Sequence, residues 1–362
     1  MLRFCLTRSC RGFLLEVWRI LPIFVAVQFI RDIHATRQAH QRPVISFEFF
    51  PPKTDEGDRA LFEKTIPLLS TLKPDYCSVT YGAGGSTRDK TLSIVDRIQR
   101  EHRLTAMMHL TCVNATREEI RGVIDRARSV GIQNILALRG DPPGGNGEFQ
   151  KTEGGFEFSH ELVSYLRELG GFSVGTAGFP EGHIACKEGK QVDWQRLKAK
   201  IDGGADFVVT QLFFDNSDFF EFRDYLSKLG VKVPICPGIL PIMSSGQIKR
   251  FTALCGAKLP PSLLKDLDKL GDNDAAATDF GIEFASRQCE ELIRNGVPGI
   301  HFYTLTDLRQ SQVLQNSRRG MSFVQSVKVD PRHSVTDQFL TLAGCELNAE
   351  VRSRCIVVPK FV

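Results

Sequence analysis

The chain has 362 residues, 42% of them hydrophobic, and a formal net charge of +4. This length fits one large α/β barrel or two ordinary domains, and the hydrophobic fraction is typical of a soluble protein with a large core. Residues 1–42 hold seven arginines and two acids, a net charge of +5, which leaves −1 for the rest of the chain. A nearly neutral main body argues against a nucleic-acid-binding surface there.

The first 42 residues differ from the rest. The apolar stretch 13–30 is interrupted by Glu16, Arg19 and Pro22, which makes it a poor membrane span. Three interpretations stay open: a disordered or mis-started extension, an Arg-rich organelle-targeting segment, or a membrane anchor. The first is favoured, so we expect residues 1–42 to lie outside the fold and the barrel to survive their removal. The expected location is cytoplasmic, unless the leader targets an organelle.

The stretch 44–52 predicts a buried strand, because it is β-branched and aromatic and ends in Pro51 and Pro52. Glu48 lies among three phenylalanines near its end. Burial disfavours the charged form, so we expect the pKa of Glu48 to lie above that of a free glutamate. A carboxyl that stays protonated near neutral pH can act as a general acid. The alternatives are an acid on a solvated strand edge, or one paired with a buried arginine.

Eight predicted strands alternate with helices along about 260 residues. The strands are at 44–52, 76–81, 105–112, 134–139, 173–178, 207–213, 233–239 and 299–305. One helix follows the second strand and ends at about 102. The others are at 55–72, 116–130, 159–169, 193–203, 217–229, 244–255, 260–270 and 275–295. This number, order and size predict a (β/α)8 TIM barrel, an α/β fold, over 43–310. The other candidate, an open doubly wound sheet, lacks a G-x-G-x-x-G after its first strand. Residues 311–362 show no clear periodicity and are expected to form a loosely packed tail.

Polar residues stand at the carboxyl ends of successive predicted strands, where a TIM barrel carries its active site. They are Glu48, Thr80, His109, Arg139, Gly140, Asp141, His183, Gln211 and Tyr303. Each has an ordinary structural explanation by itself. Their common position at one end of the barrel predicts a functional site.

Several features favour a large anionic ligand at that site. The glycine-rich stretch 82–85 would let a ligand approach the backbone closely. Arg139 can pair with a phosphate through two hydrogen bonds. Arg196 and Lys200 are four residues apart on one helical face, although an ordinary solvated face would look the same. No metal site is expected, because the ten cysteines contain no C-x-x-C pair and there is neither an H-x-H on the first strand nor an H-E-x-x-H.

Seven segments, in order and at similar spacing, closely resemble the methylenetetrahydrofolate reductase family. They are 46–52 (SFEFFPP), 78–83 (SVTYGA), 109–112 (HLTC), 137–141 (ALRGD), 210–215 (TQLFFD), 237–241 (PGILP) and 301–305 (HFYTL). The resemblance implies a barrel that holds FAD without a covalent bond. Such an enzyme, an oxidoreductase of one-carbon metabolism and methionine supply, reduces 5,10-methylenetetrahydrofolate to 5-methyltetrahydrofolate with NADH or NADPH. The implied partners are these small molecules, with no nucleic acid and no membrane, and a homo-oligomer is left open.

The resemblance also implies roles for single residues. Glu48 matches the general acid and Asp141 the acid beside flavin and folate, while Gln211 matches a pterin contact and Phe251 an aromatic that stacks on bound substrate. Further positions match the cofactor site: Thr80, His109, Arg139, Gly140, Asp141, Phe158, Ser159, Phe179, His183, Asp193, Arg196 and Lys200.

The chain departs from the family pattern at several positions. Ala199 stands where some relatives carry a basic residue, and Arg196 stands where they carry Asn. The positive charge would therefore have moved by one helical turn. Phe158 and Phe179 stand where tyrosines are common, so stacking would survive but a hydroxyl hydrogen bond would not. Residues 306–309 lack the usual Asn-Arg after the eighth strand. Two other functions remain, a related proline dehydrogenase barrel and a catalytically silent flavin or folate binder.

Overall fold

A computed structural model describes residues 27–40, 42–82, 87–142 and 149–304. Its eight strands are parallel and close into a barrel, in which each strand pairs with the next and the eighth pairs with the first. Helices alternate with the strands, so the predicted (β/α)8 TIM barrel is confirmed. The predicted tail at 311–362 lies outside the described residues.

Each predicted strand is present, with ends shifted by at most three residues. The strands are β1 Val44–Phe49, β2 Tyr76–Val79, β3 Ala106–Thr111, β4 Asn134–Leu138, β5 Ser173–Gly178, β6 Phe207–Leu212, β7 Ile235–Ile239 and β8 Gly299–Tyr303. The helices are α1 Ile30–Ala39, α2 Asp55–Ala60, α3 Ile66–Ser70, α4 Arg88–His102, α5 Arg117–Ser129, α6 Ser159–Leu169, α7 Lys190–Asp202, α8 Asn216–Lys228, α9 Ser245–Cys255, α10 Pro261–Leu270 and α11 Asp274–Arg294.

The predicted helix 55–72 contains one wide turn. Between α2 and α3, residues Leu61–Thr65 form a π-helical turn. Pro67 stands two residues after this turn. It has no amide hydrogen, and in a regular α-helix its ring would collide with the carbonyl four residues earlier. A π turn relieves that conflict without ending the helix. Leu61 and Phe62 stay buried against the barrel.

The strands are buried on both faces, as in other parallel barrels. The largest apolar cluster lies between the sheet and the surrounding helices. A second cluster fills the barrel at the amino ends of its strands, and a third lies where α9, α10 and α11 cover β6 and β7. These last two clusters therefore border the two open ends of the barrel.

The helix α1 closes the amino end of the barrel, so the expectation that residues 1–42 lie outside the fold is wrong for this part. Ile30 and Ile33 are buried in the second cluster. The Ile30 N–H donates to Asn134 Oδ1 at 2.8 Å, and the Arg37 guanidinium pairs with Asp75. The sequence signal was missed because arginines surround only two apolar residues. Residues 1–26 lie outside the described part of the chain.

We expect deletion of residues 1–40 to destabilise the barrel. The deletion exposes the barrel's amino-end cluster and leaves Asn134 and Asp75 without partners from α1. Burial of two isoleucines alone is worth roughly 3–6 kcal/mol, so the melting temperature should fall by more than about 5 °C. Differential scanning calorimetry of the 1–40 deletion against a 1–26 deletion, which keeps α1, measures this. Equal melting temperatures of the two truncated proteins would show that α1 contributes nothing.

The α1 residue His34 should make stability depend on pH. It is 3% exposed, and its ring lies against Tyr76 and Phe207, with Nε2 3.6 Å from Cys236 Sγ. Burial lowers the pKa of His34 to about 4. An unfolded histidine titrates near pH 6.5, so the unfolded chain binds the extra proton between those values. Stability therefore falls as the pH drops from about 6.5 to 4.

At pH 5 this imidazole should cost about 2 kcal/mol relative to pH 7.5. His34→Leu removes the titrating group while keeping the site apolar. Urea unfolding of both proteins at the two pH values should therefore show a smaller loss of stability in the variant. The same loss in both proteins would contradict a neutral buried His34.

Candidate active site

A buried carboxylate lies at the carboxyl end of the barrel. Glu48, on β1, is 4% exposed. Its Oε2 accepts a hydrogen bond from Ser78 Oγ at 3.2 Å and lies 3.2 Å from His301 Nε2. His109 Nε2 is also 3.2 Å away from this oxygen, in an orientation that makes the contact electrostatic rather than a well-aligned hydrogen bond. One carboxylate oxygen thus meets groups from β2, β3 and β8.

The two imidazoles shift the pKa of Glu48 in the direction opposite to the one predicted from the sequence. Burial by itself would raise its pKa, as expected from the sequence. His109 and His301 outweigh burial and hold the pKa of Glu48 below its ordinary value. The expectation of a raised pKa is therefore wrong, because strands far apart in the chain supply partners that the local sequence does not show.

Ser46 orients one of these imidazoles. Ser46 Oγ lies 2.8 Å from Nδ1 of His301, whose side chain is fully buried. If the serine hydroxyl donates to Nδ1, the ring carries its proton on Nε2, directed at Glu48. Strand alternation could have found both partners, since Ser46 precedes Glu48 by two residues and His301 precedes Tyr303 by two.

The Arg139-Gly140-Asp141 turn follows β4 and is held in place by its backbone. Gly140 has φ +87°, and a Cβ there would come within 2.7 Å of Val113 Cγ1, so only glycine fits. The Val113 N–H donates to the Arg139 carbonyl at 3.1 Å. The Arg139 guanidinium lies over the Phe149 ring, and no carboxylate of the described residues lies within ion-pair distance of it. Its charge is therefore available to a ligand.

A second cation lies near the same end of the barrel. Lys200, on α7, donates from Nζ to the Ala177 carbonyl at 3.0 Å. Burial lowers the pKa of Lys200 to about 8, against the opposing effect of Asp193. Asp193 in turn accepts a hydrogen bond from the His183 N–H at 3.2 Å. Lys200, Asp193 and His183 thus form one electrostatic group, within which Arg139 also acts on His183 and Lys200.

Arg196 is not brought together with Lys200 as the helical spacing suggested. It is exposed, its guanidinium pairs with Glu188, and its Nη1 lies 3.3 Å from Cys186 Sγ. The solvated-face interpretation therefore fits Arg196, while Lys200 turns toward the barrel. Of these two side chains, only that of Lys200 reaches the end of β5.

A family model described as methylenetetrahydrofolate reductase matches residues 33–317 of this chain. The chain belongs to the methylenetetrahydrofolate reductase family. The curated "Methylenetetrahydrofolate reductase (NADH) 1" of Arabidopsis thaliana is 43% identical over 72% of this chain and 45% of its own length. The "5,10-methylenetetrahydrofolate reductase" of Escherichia coli is 38% identical over 75% of this chain and 88% of its own length.

The chain spans about half the length of the plant reductases it matches, such as those of Arabidopsis thaliana and Zea mays. A solved structure of an uncharacterised protein from Clostridium thermocellum, described as binding two copies of 5-methyl-5,6,7,8-tetrahydrofolic acid, matches with a TM-score of 0.54. At 15% identity, over 80% of this chain and 97% of that chain, this likeness shows a shared fold.

Besides Glu48 and Asp141, the positions that the reductase resemblance assigns to substrate are Gln211 on β6 and Phe251 on α9. Gln211 is half-buried, and its Oε1 accepts from the main-chain N–H of Leu212 at 3.0 Å, so the amide is folded back on its own strand. Phe251 is half-buried and packs on the third apolar cluster, as does Tyr303. The Tyr303 hydroxyl donates to the Thr210 carbonyl at 2.7 Å, which fixes the ring.

The remaining positions that the reductase resemblance assigns to the cofactor lie on the same rim. Thr80 follows β2, and its N–H donates to the Phe49 carbonyl at 2.9 Å. Phe158 is 46% exposed just before Ser159, the first residue of α6. Phe179 follows β5, with its ring 4.5 Å from that of His183.

Residues 83–86 and 306–309, which carry most of the glycine-rich stretch and the departure after β8, lie outside the described residues. Among the residues that are described, no cluster of three or more His, Cys, Asp or Glu side chains could hold a metal ion. In the same part of the chain, no helix is long and apolar enough to cross a membrane.

Proposed function

We propose that this chain reduces 5,10-methylenetetrahydrofolate to 5-methyltetrahydrofolate, using a nicotinamide as hydride donor and FAD as the carrier. The observation that carries the proposal is the buried Glu48, whose Oε2 meets Ser78, His109 and His301 at the carboxyl end of a barrel of this family. The match to an Escherichia coli relative along 88% of its length supports the same reaction. The names of the plant relatives specify NADH, which makes NADH the donor to test first.

The residues present fit an anionic cofactor such as FAD. Arg139 has no carboxylate partner among the described residues, and Lys200 contacts a main-chain carbonyl. The buried Thr111 Oγ1 has no hydrogen-bond partner in the described part of the chain. A buried polar atom without a partner is costly, and a ligand atom can supply the missing bond. Bound FAD would supply the hydride chemistry between the two substrates.

Glu48 and its imidazoles would deliver the proton that opens the five-membered ring of the folate. The lowered pKa of Glu48 means that the carboxylate is charged before it receives a proton. His301, oriented by Ser46, and His109 can hold that proton next to Oε2 and pass it on through Glu48. The charge of Asp141 would stabilise the iminium cation that forms on the folate when the ring opens.

We expect the purified protein to be yellow and to release FAD on heating. Arg139→Ala should weaken FAD binding by roughly ten- to a hundredfold, because it removes a charged partner worth about 1.5–3 kcal/mol. Flavin absorbance and chromatography of the heat-released cofactor measure occupancy and identity. Arg121→Ala is the matched control, since Arg121 is exposed on α5 and pairs with Asp125. Release of FMN, or full occupancy in Arg139→Ala, would refute this assignment.

Glu48→Gln should separate the two half-reactions. The amide keeps the shape of the side chain but cannot donate an acidic proton to the folate. The flavin should still be reduced by NADH at a similar rate, because that step needs no proton for the folate ring. Oxidation of the reduced flavin by methylenetetrahydrofolate should slow by roughly 10²–10⁴-fold.

Stopped-flow absorbance of each half-reaction measures the two effects of Glu48→Gln. Glu63→Gln, an exposed position on the outer helical layer, serves as control and should leave both rates unchanged. Equal slowing of both half-reactions would make Glu48 a structural or flavin-binding residue. Unchanged rates would mean that another group is the acid.

A further inference from the structure

The segment that follows β5 is fixed to α7. The Phe179 carbonyl accepts from Trp194 Nε1 and from the Gly182 N–H, both at 2.9 Å. The His183 N–H donates to Asp193 Oδ2 at 3.2 Å. These hydrogen bonds tie both ends of the turn to α7, at Phe179 and His183, which the reductase resemblance assigns to the cofactor site.

Glu181 lies between those two residues and reaches across to the end of α9. Both oxygens of its carboxylate accept from the Lys258 N–H, at 3.0 and 3.3 Å. The neighbouring Ile184 lies against Gly256, where an added Cβ would stand 3.1 Å from the isoleucine. We call these four residues the clasp. It contacts the α9 side through backbone rather than through mobile side chains.

The clasp lies at the end of α9, the helix that carries Phe251, which the reductase resemblance assigns to stacking on the substrate. Phe251 lies on α9, which ends at Gly256 in a left-handed conformation with φ +75°. At the other end of α9, Ser245 Oγ donates to the Leu267 carbonyl of α10 at 3.3 Å. The helix is thus supported by α10 near its beginning and by the clasp just after its end.

We propose that Glu181 is a positioning residue, which sets α9, and with it Phe251, relative to the cofactor-binding turn after β5. This inference rests on the proposed function. A carboxylate that accepts a main-chain N–H makes a charge-assisted hydrogen bond, stronger than one between neutral groups. Without it, the segment after α9 loses its hydrogen bond to the turn after β5, so α9 and its Phe251 can shift relative to that turn. A stacking contact worsens quickly with such a shift.

The test is folate binding measured without turnover. Tetrahydrofolate, which lacks the methylene group that is reduced, is titrated anaerobically into FAD-loaded protein and followed by the shift in flavin absorbance. Glu181→Ala should weaken tetrahydrofolate binding roughly five- to tenfold, while the affinity for FAD changes less than about twofold. Glu181→Gln keeps a neutral acceptor and should lie between Glu181→Ala and the wild type. Asp218→Asn removes a negative charge near Glu181 without touching the clasp, and should bind tetrahydrofolate normally.

A double-mutant cycle with Phe251→Ala decides how Glu181 acts. If Glu181 acts by positioning α9, removing it in the Phe251→Ala protein should cost less than about twofold further. Fully additive effects, or a loss of FAD affinity as large as that for tetrahydrofolate, would overturn the proposal. Failure of the proposed function would look different, because the wild-type protein would then bind neither FAD nor tetrahydrofolate.

Discussion

The contact that the site depends on is the one between Glu48 Oε2 and its three neighbours. A carboxylate that is 4% exposed is stable only when partners replace its lost hydration. Ser78, His109 and His301 do so from three different strands, and only closure of the barrel brings those strands together. The same partners that make the buried charge tolerable also lower the pKa of Glu48. The stability of the buried charge and its titration therefore rest on one cluster.

Across the carboxyl end of the barrel from Glu48, the ends of β4 and β5 carry positive charge. Arg139 and Lys200 bring positive charge to the ends of β4 and β5, and neither has a carboxylate within ion-pair distance among the described residues. Keeping cations unpaired costs stability in the free protein. That cost is recovered when an anionic ligand binds, which is why such residues favour a cofactor site over a packing role. Arg196, already paired with Glu188 in solvent, illustrates the ordinary alternative.

Two sets of contacts, one at each end of the barrel, connect the elements that surround the site. At the amino end, α1 places Ile30, Ile33 and His34 under the inward residues of the strands. At the carboxyl end, the clasp joins the turn after β5 to the segment after α9. Both connect elements far apart in the chain, and neither needs more than a few specific contacts. Thus α1 closes the amino end of the barrel, and the clasp connects two loops at its carboxyl end.

Strand order, barrel class and the position of Glu48, Arg139 and Lys200 followed from the sequence, because periodicity and turn residues are local properties of the chain. The same local view placed Arg196 beside Lys200 and left α1 out of the fold, since spacing alone does not say which face meets the core. The titration of Glu48 was decided only by tertiary structure. Its burial was evident from the surrounding phenylalanines, but His109 and His301 stand on other strands, and electrostatic effects depend on distances in space that one strand's sequence does not contain.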